Sequence, residues 1–444
     1  MINASPEVIT IVMFGGLAFG LLIGYPLAFS IAGVGLIVGY LIIGPKVFNI
    51  VYLQMFGLMR SYVLLAVPLF IFMGCMLERS LMAKTMYEAL YLFLGRIRGG
   101  LALVTILLGT IIAACVGVVA AAVSMLTLLA LPEMMRRGYN KSIASGAICA
   151  AGNLGILIPP SIMLIVYAAM AKLSVGKLYM AAIFPGLLLS ALYCIYILIT
   201  CSLQPQLAPI LPPEEFRVPL TKKVSLVIVS IIPTGFVILA VLGTIYLGIA
   251  PPTEAAAAGA LATTILAMAY RKFNLRVLKE VSLDTLLITS FCMFIGAGSV
   301  AFTGVFLDLG CGKVVQNLVL AVPLGRWGAF LIIMFMYFIL GFLVDWIGIM
   351  FIMVPIVAPI APLLGFDPIW FGMMICVNLQ TASLTPPLAY AMFYLQGLAP
   401  PEFGITTADI MRGMAPYIVL ILIGLALCVV FPQIILWLPE KMIA

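Results

Sequence analysis

Apolar residues run along this chain in long blocks with little polar alternation, and short charged or proline-bearing joints separate the blocks. Runs near 8–24, 26–44, 63–77, 143–171, 178–201, 224–248, 254–270, 283–306, 368–396 and 414–438 read as helices crossing a bilayer, which takes ~20 apolar residues per pass. Two further blocks, 101–131 and 328–361, read differently. Arg96 and Arg98 precede the first, and Arg136, Arg137 and Lys141 follow it. Basic residues collect on the cytoplasmic side, so both flanks belong there and the block enters and returns. Its tip is expected at the small, Gly-interrupted stretch Cys115–Ser124. The second block has only Arg326 nearby and reads as the counterpart from the other side, with its tip at Gly341–Gly348.

Two of the crossing runs carry the same break. Gly152-Asn153-Leu154-Gly155-Ile156-Leu157-Ile158-Pro159-Pro160-Ser161 interrupts one, and Asn378-Leu379-Gln380-Thr381-Ala382-Ser383-Leu384-Thr385-Pro386-Pro387 the other. Two prolines remove two backbone donors and clash with the preceding turn. In a bilayer such a break survives only where protein or a wet cavity surrounds it. Pro159 and Pro386 are 227 positions apart, and that offset also maps Pro132 onto Pro359, Gly138 onto Gly365, Tyr139 onto Phe366, Asn140 onto Asp367 and Gly117 onto Val344. It pairs the moderately polar segments 84–98 and 311–325, read as interfacial arm helices. The chain therefore divides into repeats over 1–203 and 224–444, joined by a Pro-rich, charged cytoplasmic linker, 204–223. Five crossings and one hairpin per half would invert the second repeat, an arrangement of secondary transporters. The expected fold is an all-α polytopic membrane protein of about ten spanning helices, two re-entrant hairpins and two broken helices.

Composition agrees. Of 444 residues, 65% are hydrophobic and 8% charged, and mean hydropathy is +1.30, against about a quarter charged in soluble domains. The first apolar run lacks a preceding basic flank and a following small-residue cleavage site, so no cleaved signal peptide is expected. With this topology 15 of the 22 Lys and Arg lie inside, Arg217 among them, and 7 outside, which puts the N-terminus outside. Lys172 and Lys177 fall on the outer side, as solvated loop charges or as an attraction for an anion. The net charge of +7 reflects topology and gives no reason to expect nucleic acid. Nine scattered cysteines without CxxC, and no histidine, speak against zinc, haem and Ser-His chemistry. There is no GxxxxGK[ST] phosphate loop, no TVGYG filter and no Arg-rich voltage sensor. Without paired intramembrane acids either, an enzyme is not expected.

What remains is a set of neutral oxygens at the breaks and one acid. Gly152, Asn153, Gly155 and Ser161 cluster at the first break, and Asn378, Thr381, Ser383 and Thr385 at the second. Unwound carbonyls with Ser, Thr and Asn oxygens suit Na⁺, and half-helix N-termini favour an anion. The first tip offers mainly the carbonyls of Cys115, Val116, Gly117 and Val118. Asp345, at the second tip with Gly341 and Val344, has two readings: an intramembrane acid is costly and commonly functional, and Asp is also a good N-cap for the helix after it. Glu254, after Pro251-Pro252-Thr253, reads as ordinary first-turn chemistry.

Around the double prolines the chain resembles a known family. Ala130–Tyr139 (ALPEMMRRGY), Gly155–Ser161 (GILIPPS), Phe184–Gly186, Gly365–Pro368 with Phe371-Gly372, and Asn378-Leu379 with Thr385–Pro387 match, in order, the large membrane subunit (DctM type) of tripartite ATP-independent periplasmic (TRAP) transporters. The resemblance implies Na⁺-coupled import of a small organic anion by an elevator-type movement in the bacterial inner membrane. Its implied partners are a small four-helix membrane subunit (DctQ type) and a periplasmic substrate-binding protein (DctP type), with no organic cofactor. It also implies cations between Cys115–Val118 and Gly152–Gly155, and between Gly341–Asp345 and Thr381–Thr385. Substrate contacts are expected from Asn153, Ser161, Asp345, Asn378 and Thr385. Many members have a Ser-rich first tip where this chain has Cys115–Ala120 (CVGVVA). That tip, with Asn378–Thr381 and Phe393–Leu395, resembles the branch linked to 2-oxo and hydroxy acids, and a sulfonate is a further option. A stand-alone Na⁺/organic anion symporter of related two-hairpin fold is the alternative.

Overall fold

The computed structural model describes residues 4–79, 82–209 and 219–442. Residues 210–218 of the expected linker, Arg217 included, lie outside them. The described chain is helical, with no strand among the described residues. In the first half α1 (Pro6–Leu22), α2 (Leu27–Ile43), α3 (Lys46–Met59) and α4 (Ala66–Arg79) lead to a short arm, α5 (Met82–Leu94). The pair α6 (Gly100–Val116) and α7 (Val119–Arg136) forms the first hairpin. α8 (Lys141–Asn153) and α9 (Ile162–Ala171) are one broken helix, and α10 (Val175–Leu203) ends the half. The second half runs α11 (Leu220–Tyr246), α12 (Pro252–Ala269), α13 (Leu275–Asp308) and the arm α14 (Cys311–Leu320). Its hairpin is α15 (Gly325–Leu340) with α16 (Trp346–Val357) and the single turn α17 (Ile360–Leu363). Its broken helix is α18 (Pro368–Asn378) and α19 (Tyr390–Leu398), followed by α20 (Thr407–Val430) and an unpaired α21 (Gln433–Glu440).

The 227 offset carries the first half onto the second: the start of α8 lands on the start of α18, and the end of α10 on the end of α20. Local chemistry repeats with it. Gly138 and Gly365 both take positive φ, 75° and 73°, a conformation that costs glycine nothing. Two residues later Asn140 caps α8 by accepting from Ser142 N at 2.9 Å. Asp367 likewise caps α18, accepting from Ile369 N at 2.8 Å and Trp370 N at 2.9 Å. Between cap and glycine the halves differ. The buried Tyr139 hydroxyl accepts from Leu101 N at 3.2 Å, and burial pushes this phenol up to about 12. Its counterpart Phe366 stacks with Trp370 and lies under the Arg326 guanidinium.

Two boundaries depart from the hydrophobic pattern, each for a backbone reason. The first half carries α3, which the apolar runs do not show, and breaks before α4, whereas α13 is one continuous helix of 34 residues over the equivalent stretch. Pro68 lies in the first turn of α4, where its ring blocks continuation from upstream; Ile295 holds that place in α13. The run 414–438 is likewise two helices. Pro432 pushes Phe431 out of the helical region, to φ −120° and ψ 75°, as a following proline does.

Six helices are long and apolar enough to cross a membrane, and seven shorter apolar ones accompany them among the described residues. Of the hairpin arms, α6, α15 and α16 belong to the shorter group and α7 to the longer. The halves interlock through symmetric pairings, α2 on α13 and α4 on α12. Arg79 at the end of α4 reaches Glu280 and Asp284 of α13, both at 2.8 Å. These pairs are about two-fifths exposed, so each contributes only ~0.2–1 kcal/mol. Close helix approach does more. A Cβ on Gly146 of α8 would lie 2.2 Å from Gly413 O, and one on Gly413 of α20 would lie 2.1 Å from Ser142 O. Gly413→Ala is therefore expected to destabilise by ~1–3 kcal/mol through overpacking against backbone. Gly235→Ala, in α11 with nothing near its Cβ, is expected to be neutral or slightly stabilising. Thermal unfolding of the two purified variants checks the contrast; equal midpoints would contradict it.

Candidate functional site

Each hairpin tip rests on the helix break of its own repeat. At the first tip α6 ends at Val116, Gly117 takes a left-handed conformation (φ 65°), and extended Val118 starts α7, so the chain reverses in two residues. A Cβ on Gly117 would lie 3.1 Å from Pro160 O, and one on Gly155 would lie 3.7 Å from both Val118 N and Val118 O. The side chains of Cys115 and Val116 lie outside what is described. At the second tip a Cβ on Gly341 would meet Ala382 Cβ at 2.8 Å. Val344 beside it is buried.

The breaks are built alike. α8 passes through a 3-10 turn, Leu154–Ile156, to Pro159-Pro160, and α18 through Leu379–Thr381 to Pro386-Pro387; both Pro-Pro bonds are cis. Side chains at and beside the breaks are tied to nearby oxygens. Asn153 Nδ2 donates to Gln380 O at 2.7 Å, and Asn378 Nδ2 to Met334 O at 2.7 Å. Thr381 Oγ1 donates to Asn378 O and Thr385 Oγ1 to Thr381 O, each at 2.7 Å. Ser161 Oγ donates to Ile156 O, and Ser383 Oγ to Asn153 Oδ1. Residues 153 and 380 are equivalent under the 227 offset, so the Asn153 bond joins the two breaks across the repeat axis.

Asn153, Ser161, Asn378, Thr381 and Ser383 are at most 1% exposed, Thr385 is half-buried, and Gly152 packs its Cα face on Val123 of α7. None of these lines the cavity between the tips; they form the packed layer behind it. The cavity, 470 Å³, is lined by Val118–Ala120 of one tip and Asp345–Ile347 of the other, by Ile162, by the middle of α13, and by Leu388, Tyr390 and Tyr394. Its volume lies in the range of small-molecule sites. The N-cap reading of Asp345 holds, its carboxylate accepting from Ile347 N at 3.2 Å at the start of α16, and the residue also lines the cavity.

Gln380 was not singled out in the sequence. It is fully buried, and neither its Nε2 nor its Oε1 has a partner; its equivalence to Asn153 was the available signal. Tyr390 and Tyr394 were also not chosen, because tyrosines in an apolar run carry no spacing that marks a site. Glu254 stands in the first turn of α12, where it accepts from Tyr62 Oη. Lys172 and Lys177 are exposed. No group of three His, Cys, Asp or Glu that could hold a metal ion exists among the described residues.

Comparison with known proteins is consistent along the chain. Residues 11–434 match the family model of the tripartite ATP-independent periplasmic transporter, DctM component. The C4-dicarboxylate TRAP transporter large permease protein DctM of Pseudomonas aeruginosa is 31% identical over 402 residues, 90% of this chain and 91% of that protein. The ectoine/5-hydroxyectoine TRAP transporter large permease protein UehC of Ruegeria pomeroyi is 30% identical over 424 residues, 95% and 96% of the two chains. The crystal structure of the Alcanivorax borkumensis YdaH transporter, described as having an unusual topology, shares the fold, with a TM-score of 0.60 at 16% identity over 88% of this chain and 90% of that one. The chain belongs to the DctM family, the large permease subunit of tripartite ATP-independent periplasmic transporters.

Proposed function

We propose that this subunit uses a Na⁺ gradient to import a small organic solute with a carboxylate or sulfonate group, a 2-oxo or hydroxy acid among the options, across the bacterial inner membrane. The single observation that carries the reading is the cavity bounded by both hairpin tips, each tip seated on a broken helix. A periplasmic binding protein of DctP type would deliver the solute, and a small four-helix subunit of DctQ type would complete the membrane part. The relatives named for C4-dicarboxylate and for ectoine support a small polar solute without choosing among them. Na⁺ is cargo here. Its proposed ligands are the oxygens at Cys115–Val118 with Gly152, Asn153 and Gly155, and the backbone carbonyls of Gly341, Val344 and Asp345 with oxygens of Thr381, Ser383 and Thr385. Hard neutral oxygens of this kind suit an alkali cation.

With the N-terminus periplasmic, α13 starts in the cytoplasm. The cavity then lies beside its cytoplasmic half, where Leu287 and Phe291 are 67% and 56% exposed, while Phe302 and Phe306 in the outer half are fully buried. In the proposed elevator movement hairpins and broken helices travel as one body against α2, α4, α12 and α13.

Reconstitution tests the assignment. Proteoliposomes holding this chain and its small membrane partner, with an inward Na⁺ gradient, should accumulate a labelled solute only when the binding protein is present. Accumulation without the binding protein would favour a stand-alone symporter, and accumulation without Na⁺ would remove the cation proposal. The movement has its own check. A Cβ on Gly348 of α16 would lie 3.6 Å from Leu27 Cγ at the start of α2, within disulfide reach. Oxidising the Leu27→Cys, Gly348→Cys double variant is expected to reduce uptake at least tenfold, with recovery on reduction. Each single variant should keep its activity under oxidant; undiminished uptake by the locked double variant would rule out relative movement here.

A further inference from the structure

The cavity between the tips is lined by helix starts of two kinds. Under the 227 offset Val118 is equivalent to Asp345, and the two residues hold the same post: each is the N-cap of the returning hairpin arm. Asp345 occupies the amides of its arm. Val118 cannot, so the first turn of α7 has no side-chain cap. Ile162, which also lines the cavity, opens α9, and its N-cap Ser161 makes no capping bond either. An uncapped helix start leaves up to four N–H groups open and carries about half a positive charge. Two such starts face the same space.

The lining also has a negative and aromatic part. Asp345 is the carboxylate there, and no Lys or Arg is among the residues lining the cavity; the chain has no histidine. Tyr390 and Tyr394 stand one helical turn apart on α19, with Trp346 beside Asp345. The Tyr390 hydroxyl is buried with no partner. A carboxylate among aromatic faces is an environment for an organic cation. Ile162, Leu287 and Phe291 supply apolar lining.

Building on the reading of this cavity as the solute site, we infer that the solute is a zwitterion, with its carboxylate or sulfonate at the starts of α7 and α9 and its ammonium, quaternary ammonium or amidinium group at Asp345, Tyr390 and Tyr394. A dicarboxylate would set its second charge against Asp345 with no side-chain cation to offset it.

The test is direct binding to the membrane complex of this chain and its small subunit in nanodiscs, without the binding protein, so that the selectivity measured is the cavity's own. Radiolabelled glycine betaine, ectoine and taurine are compared with succinate and 2-oxobutyrate in NaCl, for wild type and Asp345→Asn. Asn is also a good N-cap, so α16 keeps its start, and an unchanged thermal midpoint confirms this. The expected result is Na⁺-dependent binding of at least one zwitterion at least tenfold tighter than either anion. In Asp345→Asn that zwitterion should weaken at least tenfold, succinate should gain, and half-saturation for Na⁺ should stay put. Preference for succinate or 2-oxobutyrate in the wild type, with binding still sensitive to Asp345→Asn, overturns the zwitterion and leaves the site reading intact. A zwitterion lost only through a raised Na⁺ half-saturation assigns Asp345 to the cation and overturns the inference. No binding of either class, or binding indifferent to Asp345→Asn, overturns the inference and the reading of the cavity together.

Discussion

A helix that stops inside a bilayer leaves carbonyls and amides that lipid cannot satisfy, each at a cost of several kcal/mol, and the architecture of this chain follows from having two such stops. Polar side chains gathered at the breaks bond to nearby carbonyls, Asn153 to that of Gln380, Asn378 to that of Met334, Thr381 and Thr385 to those three and four residues back, and Ser161 to that of Ile156, while the Gln380 amide has no partner. A hydrogen bond made in this setting nets only ~1 kcal/mol. Leaving the carbonyl bare costs more than that, so these residues are held by what their absence would expose. The same requirement draws the hairpins in. A tip covers each break, and glycine at 117 and 341 permits an approach that a Cβ would crowd.

This division of labour explains which parts of the site could be read from residues alone. The breaks and tips were legible because proline and glycine act locally, through missing donors and permitted φ. The caps Asn140 and Asp367 were legible as an offset pair for the same reason. The extra boundary at Pro68 and the split at Pro432 were also written locally, but long apolar runs hide a proline among residues that all favour burial. What could not be read was the distance between elements. Nothing in the spacing of Asn153 says that its amide reaches Gln380 in the other half, or that Tyr390, Tyr394 and the middle of α13 close the same cavity as Asp345. Those contacts depend on how the two repeats dock.

Docking two copies of one pattern gives each position a twin, and the chemistry appears where the twins differ. At 139 and 366 a hydrogen-bonding Tyr faces an aromatic-stacking Phe, a difference of packing only. At 153 and 380 an amide that bridges the breaks is matched by one left without partners. At 118 and 345 an apolar residue is matched by an acid, and this pair, with its neighbours 119/346 and 120/347, lines the cavity. Symmetry would have made that cavity bear the same charge on both sides. The exchange of Val for Asp at one N-cap is what polarises it.

The two kinds of interface suit the proposed movement. Within the frame, α2 is held to α13 by close approaches: a Cβ on Gly35 would lie 2.8 Å from Phe302 Cα, and one on Gly298 would lie 2.6 Å from Ala28 O. α12 approaches α4 the same way, with Gly259 against Met73, and the Arg79 ion pairs tie α4 to α13. Surfaces matched at backbone distance cannot slide without steric cost. Between α13 and the second hairpin the contact is of another sort. It is apolar, with the Phe351 ring against Gly296, and its polar link is a weak one, Thr303 Oγ1 to Phe351 O at 3.4 Å. Apolar contacts carry no direction and can re-form in a new register, whereas a geared backbone seam cannot. A rigid frame beside a smooth bearing is what carrying a bound solute past that frame requires.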